Sequence, residues 1–205
     1  EDVYNYITLL NENYEHPAMP EGAEGDILKG MYLLRSAEGG GARVQLFGSG
    51  AILREVEAGA ALLAQDWNVQ SDIWGVTSFN ELQRDGVAVE RGNLLHPEQP
   101  PRVSHVEALL AGRHGPGIAA TDYVRTFAEQ IRPYIGRRYL TLGTDGYGRS
   151  DFRAKLRQHF EVDRYYVAVA ALKALADEGT IPAAMVGEAI QKYRINPEKP
   201  NPITV

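Results

Sequence analysis

The sequence predicts an α/β layered domain with a mixed sheet. Short β-type apolar runs alternate with segments of helical periodicity. Glycine turns follow two of those runs, and each turn leads into a helical pattern. Two further runs lie so close in sequence that they can pair antiparallel.

Taken in chain order, Val3–Leu10 (VYNYITLL) is rich in β-branched and aromatic residues and reads as a strand. Asn11–Gly25 follows with Pro17, Pro20, Gly22 and Gly25 and reads as a linker. A strand that runs straight into a linker suits the last strand of a preceding domain, and the chain opens Glu1-Asp2-Val3 without an initiator methionine, so it is expected to be either processed or a piece of something longer. The main body then starts near Leu28. Arg43–Phe47 is a strand, Gly48-Ser49-Gly50 a tight turn, and Ala51–Trp67 a helix whose Ile52, Val56, Ala60, Leu63 and Trp67 share one face, with Arg54, Glu55 and Glu57 elsewhere. Asp72–Ser78 is the next strand, followed by polar helical turns and a passage with Pro97, Pro100 and Pro101. Val103–Leu110 and Gly117–Thr121 read as strands on either side of the Arg113–Pro116 turn, and their short separation allows an antiparallel pair. Asp122 is placed to cap a helix running to about Ile131.

Tyr139–Leu142 is a short buried strand. The run GTDGYGRSD, Gly143–Asp151, leaves it with three glycines, which allow a sharp turn. Ser150 is positioned to cap the next helix, where Phe152, Leu156, His159 and Phe160 recur at helical spacing. Asp163 caps a further helix to Asp177 that is apolar on most sides and is expected to be buried. Pro182 suits the start of a last helix, with Glu188 and Lys192 as an i,i+4 pair. The tail from Asn196 holds three prolines and is expected to be extended.

Composition removes several classes of function. The chain has 205 residues, of which 44% are hydrophobic, enough for a sizeable core without disulfides or metal. It has no cysteine, which excludes thiol chemistry and cysteine–zinc sites and is compatible with a reducing cytoplasm. A net charge of −6 without a long basic block argues against sequence-independent nucleic-acid binding. No apolar run reaches membrane-spanning length, and no signal-peptide pattern opens the chain.

Few residues suggest chemistry. Gly48–Gly50 could present backbone amides to a phosphate, but Leu53 stands where a dinucleotide fingerprint has its third glycine, and no Gly-Lys-Ser/Thr follows. A structural turn is the favoured reading. His16, His96, His105, His114 and His159 show no metal-ligand spacing, and no G-x-S-x-G elbow is present. His105 beside Glu107 is a weak candidate for a tuned pair, and His159 is read as a packing residue. In the glycine loop, Asp145, Arg149 and Asp151 could meet something charged, yet no nucleophile or base accompanies them.

Five runs together carry a resemblance: ITLLNENYEHPAMPEG (Ile7–Gly22), VQLFGSGAILREV (Val44–Val56), DIWGVTSFNELQRDG (Asp72–Gly86), AATDYVRTFAEQIRPYI (Ala119–Ile135) and LGTDGYGRSDFRAKLRQHFEVD (Leu142–Asp163). In this order they resemble the C-terminal region of the homodimeric bacterial pyruvate dehydrogenase E1 family, and the architecture resembles the C-terminal domain of the wider transketolase family. The resemblance implies a three-layer αβα domain on a five-stranded, mostly parallel sheet. Residues 1–27 would then be the end of a middle domain plus its linker, and residues 28–205 the C-terminal domain.

It also implies a parent enzyme that uses thiamine diphosphate and magnesium to decarboxylate pyruvate and passes the acyl unit to the lipoyl group of an acyltransferase, towards acetyl-CoA. Those cofactors would be held by N-terminal and middle domains, with no catalytic, cofactor or metal residue expected here. The expected partners are those domains, a second E1 subunit and the acyltransferase, in the cytoplasm. The loop residues expected to face them are Asp145, Tyr147, Arg149, Ser150 and Asp151, with Thr121 and Asp122 at a strand end. Two other readings stand beside this one: a free-standing flavodoxin- or Rossmann-type nucleotide module, and a non-catalytic partner-recruiting module.

Overall fold

The computed structural model describes Asp2, Tyr4, Ile7 and residues 13–205. The strand expected at Val3–Leu10 therefore lies largely outside the described residues. Five strands form one sheet: β1 (Met31–Arg35), β2 (Arg43–Ser49), β3 (Gln70–Val76), β4 (Gly117–Ala120) and β5 (Tyr139–Leu142). Their order is β1-β3-β2-β4-β5. The inner pairs are parallel, and β1 alone runs antiparallel, with Met31 opposite Val76 at the C-terminal end of β3. The expected mostly parallel, mixed sheet is thus present, but a different strand makes it mixed.

Both faces of the sheet are covered, which explains why its central strands are apolar runs and not alternating ones. Val44, Leu46, Ile73, Ile118 and Ala120 face one cluster with α2 (Leu53–Trp67), α8 (Arg164–Asp177) and α9 (Ala184–Lys192). Phe47, Trp74, Val76 and Ala119 face the other. There they meet α3 (Phe79–Leu95), α4 (His105–Leu110), α5 (Arg125–Glu129) and α6 (Arg132–Ile135). The two remaining helices are α1 (Glu24–Leu28), ahead of β1, and α7 (Arg153–His159), after β5. Helix α8 is buried as expected: Val167, Ala168, Ala171, Leu172, Ala174 and Leu175 are all in the core, and the Asp163 side chain caps it through the Tyr165 and Tyr166 amides.

Several expectations need correction. Val103–Leu110 is not a strand; Ser104 and Glu107 form a reciprocal capping box that starts α4 at His105. Two hydrogen bonds to otherwise unpaired helix amides outweigh the β-branched character of Val103 and Val106. Strand β1 was not anticipated. Asp122 caps nothing: α5 starts at Arg125 without a side-chain cap. Ser150 does not cap α7 either, because Phe152 holds that position and is exposed, outside the apolar stripe. Lys192 pairs with Asp66 at 2.9 Å instead of Glu188.

Two polar clusters pin the layers. At the N-terminal end of the parallel strands, fully buried Gln45 donates to Asp72 Oδ2 (2.8 Å) and to the His114 carbonyl (2.9 Å), while its Oε1 accepts from Trp74 Nε1 (2.9 Å). Asp72 Oδ1 in turn accepts from the Ala37 amide (2.7 Å) and from Arg113 (3.1 Å). Both Asp72 carboxylate oxygens and both ends of the Gln45 amide thus have partners, as burial demands. Between α2 and α9, Trp67 Nε1 donates to the Tyr193 hydroxyl (2.7 Å), which donates to Asp66 (3.0 Å). Replacing Tyr193 with Phe breaks both links, and we expect a loss of about 1–2 kcal/mol, read as a lower urea midpoint with an unchanged slope.

Candidate functional site

The glycine-rich turns meet at the C-terminal rim of the sheet. Between neighbours β2 and β4 the connections diverge: α2 leaves β2 on one face, and α5 leaves β4 on the other. Such a switch point is where open α/β sheets form a crevice. Beside it, bonds tie the loop after β4 to the loop after β5. Thr144 Oγ1 donates to the Asp122 carbonyl (2.9 Å), and the Thr144 amide donates to the Tyr123 carbonyl (3.0 Å). Gly143 permits this approach, since a Cβ there would lie 2.7 Å from the Tyr123 carbonyl. Buried Thr121 accepts from the Tyr123 amide (3.2 Å), and Asp145 accepts from Arg125 Nε at 2.6 Å.

The structure thus brings Thr121, Asp122 and Asp145 together. It sets the other expected loop residues further out: Tyr147, Arg149, Ser150 and Asp151 are all exposed, and Asp151 accepts from the neighbouring Phe152 amide (2.7 Å). Large apolar side chains stand in water on the same two loops, with Tyr123 60%, Tyr147 85% and Phe152 83% exposed. A cleft of about 290 Å³ lies beside them, with Arg149, Arg153, Arg157 and Asp122 around the apolar Ile52, Leu156 and Phe160.

Sequence reasoning missed the strongest charged cluster. Glu55, in the first turn of α2, is 4% exposed. Its carboxylate accepts from Arg157 (3.0 Å), from the Arg164 side chain (2.9 and 3.1 Å) and from the Arg164 amide (3.0 Å). Burial alone would push this carboxyl up, but the bonds from Arg164 and the charges of Arg164 and Arg157 outweigh it and hold it below the usual range. Arg157 also reaches the Tyr14 hydroxyl (3.3 Å), and Arg54 lies 4.5 Å from the Tyr14 ring, so the segment ahead of α1 is fastened to this corner. A glutamate one residue before a buried valine was the available signal, and helical periodicity assigned it to the surface.

Of the histidines, His105 is in a helix, with Nε2 3.2 Å from the Met31 carbonyl, and Glu107 serves the capping box instead of pairing with it. His159 packs edge-on against Phe160. Among the described residues, no three His, Asp or Glu side chains are grouped to hold a metal ion. In the Gly48–Gly50 turn, Gly48 lies against Leu53, and a Cβ on Gly50 would come 2.9 Å from an Asp122 carboxylate oxygen. A carboxylate over the turn repels a phosphate there.

Residues 30–163 match the family model described as the transketolase-like TK C-terminal domain. The chain belongs to that family. This transketolase-like C-terminal domain is 62% identical over its whole length to a pyruvate dehydrogenase E1 component of Cupriavidus necator and 58% identical over 99% of it to one of Pseudomonas aeruginosa. It spans 23% of each of those relatives' own lengths. Among solved structures, a transketolase from Leishmania mexicana aligns with TM-score 0.50 and 16% identity over 79% of this chain and 21% of that one, a likeness of fold. The resemblance read from the five sequence runs is therefore borne out. The matched region ends at Asp163, so α8 and α9, which complete one face of this transketolase-like C-terminal domain, lie beyond it.

Proposed function

We propose that this chain is the C-terminal, dimer-stabilising domain of a pyruvate dehydrogenase E1 component. The observation that carries the reading is the whole-chain identity to the two bacterial E1 components, 62% and 58%. On this reading residues 1–27 end a middle domain, and the parent protein decarboxylates pyruvate with thiamine diphosphate and magnesium. It then acetylates the lipoyl group of an acyltransferase in the cytoplasm. Thiamine diphosphate and magnesium do not fit the described residues of this chain. The glycine turn faces a carboxylate, and no described group of side chains is arranged to hold the cation. The chemistry belongs to the domains that precede residue 28, and the present residues supply shape. The exposed Tyr123, Tyr147 and Phe152, with Arg149, Ser150 and Asp151 beside them, support a surface that meets the other domains or the second subunit. Among the described residues, no helix is long and apolar enough to cross a membrane.

The test uses the full-length protein. Pyruvate-dependent reduction of an artificial electron acceptor should require added thiamine diphosphate and magnesium; its absence with saturating cofactors removes the reading. Asp145→Ala releases Arg125 and loosens the loop, so the dimer should dissociate at roughly tenfold lower dilution while turnover per assembled dimer stays unchanged. A variant that remained dimeric and cofactor-loaded yet lost turnover would show a direct role for Asp145 in the reaction.

A further inference from the structure

Residues 196–204 are not extended. They return from α9 to the C-terminal rim as two consecutive Asn-Pro turns. Asn196 Oδ1 accepts from the Glu198 amide and Asn201 Oδ1 from the Ile203 amide, each at 3.0 Å. The Asn196 carbonyl accepts from the Lys199 amide (3.2 Å) and the Asn201 carbonyl from the Thr204 amide (2.9 Å). Asparagine followed by proline sets such turns locally, so this short segment carries much of its own shape.

The segment sits in a groove with matching chemistry. Lys199 Nζ donates to the His159 carbonyl (2.6 Å) and pairs with Glu161 (2.9 Å), and it lies 5.8 Å from the Tyr166 ring. Glu161 holds a left-handed backbone (φ +61°) at the corner between α7 and α8, a conformation that costs energy in a non-glycine residue and is held there by its surroundings. At the far end Pro202 is buried and its carbonyl faces Gly146, where a Cβ would come within 2.4 Å. Gly146 is at φ +105°. The walls between these anchors are Arg125, Leu142, Asp145 and Phe160.

We propose that this groove is a peptide-recognition site for a segment of two Asn-Pro turns with a lysine between them, that the chain's own residues 196–205 are its resident ligand, and that its occupancy fixes the conformation of the Gly143–Asp151 loop. One wall of the groove is the loop itself: Gly146 touches the ligand, and Asp145 contributes to the same wall while holding Arg125. An empty groove leaves the loop without support on that side. The effect on subunit assembly rests on the function proposed above; the binding does not.

The experiment deletes residues 196–205 from the full-length protein and follows amide hydrogen exchange. Exchange across residues 143–152 should rise about tenfold or more, while β2 and α8 keep their protection. The synthetic peptide NPEKPNPITV should restore protection saturably, and its Lys199→Ala version should need roughly tenfold more, for loss of two charge-assisted bonds. Unchanged loop exchange after deletion overturns the proposal, as does a peptide in large excess that restores nothing. If β2 and α8 also lose protection, Lys199→Ala in the intact chain carries the test: a loop-specific rise supports the groove, and no rise overturns it. Loop exchange that responds while dimerisation does not keeps the groove and removes the interface reading; an unresponsive loop in a weakened dimer does the reverse.

Discussion

Gly115→Ala should destabilise the domain by about 4 kcal/mol, lowering the urea midpoint sharply. Gly115 sits in the turn before β4 with φ +85°, and an added Cβ would lie 1.7 Å from the Arg43 carbonyl oxygen. That carbonyl opens β2, whose register with β4 begins two residues later at Gln45 opposite Gly117. Neither strand can retreat without breaking the bond from the Gln45 amide to the Pro116 carbonyl (2.9 Å) or disturbing buried Asp72 and Gln45. Gly112→Ala is the control. It has a similar φ of +72° but open space around it, so it should cost only the backbone part, about 1 kcal/mol. Equal losses in the two variants would show that the close approach to Arg43 contributes nothing.

The second large effect is expected for Glu55→Gln, at about 3 kcal/mol. Glutamine keeps the shape but leaves Arg157 and Arg164 without their shared negative partner, and it cannot accept all four bonds. Arg164 is 45% exposed on its side chain and regains some hydration, which keeps the loss near the low end for a broken buried pair. The pH dependence follows from the lowered pKa of Glu55. Within and just below the ordinary carboxylate range the unfolded chain takes up this proton more readily than the folded one. Stability from this group is therefore complete above that range and is lost as pH falls through the lower, folded-state value. Glu55→Gln lacks this component, so the stability gap between wild type and variant should narrow on acidification. A gap that stayed constant from neutral pH down would show that the carboxylate's charge is not what holds α7 and α8 to α2.

What the sequence made legible follows from how local each signal is. Helices α2 and α8 and the central strands stood out because their apolar patterns are long and both sheet faces are covered. Asp163 was readable as a cap because its partners lie within three residues. Ser104-His105-Val106-Glu107 carried an equally local capping signal, but the valines around it drew the reading towards a strand. Two classes of feature were out of reach. β1 has no alternation, and its place is decided by pairing with β3 some forty residues away. The Glu55 cluster joins residues more than a hundred positions apart, and its place one residue before Val56 is too weak a local signal to mark it for burial. The candidate loop was found through its glycines; which of its residues face inward depends on Arg125 and Tyr123, contributed by another turn.

The reversed direction of β1 has one more consequence. Because Met31 pairs with Val76, the polypeptide enters the sheet at the C-terminal rim, the end that also carries the two loops with exposed aromatic residues. A parallel β1 would have brought the chain in at the opposite end, beside Gln45 and Asp72. On the proposed reading, in which residues 1–27 end a middle domain, the segment anchored through Tyr14 is a short tether and delivers that domain next to those loops. A tethered partner is present at an effective concentration on the order of millimolar, so even a weak contact at this rim stays largely closed. The surface can then be small and polar in part, and still be occupied, because chain connectivity supplies what contact area does not.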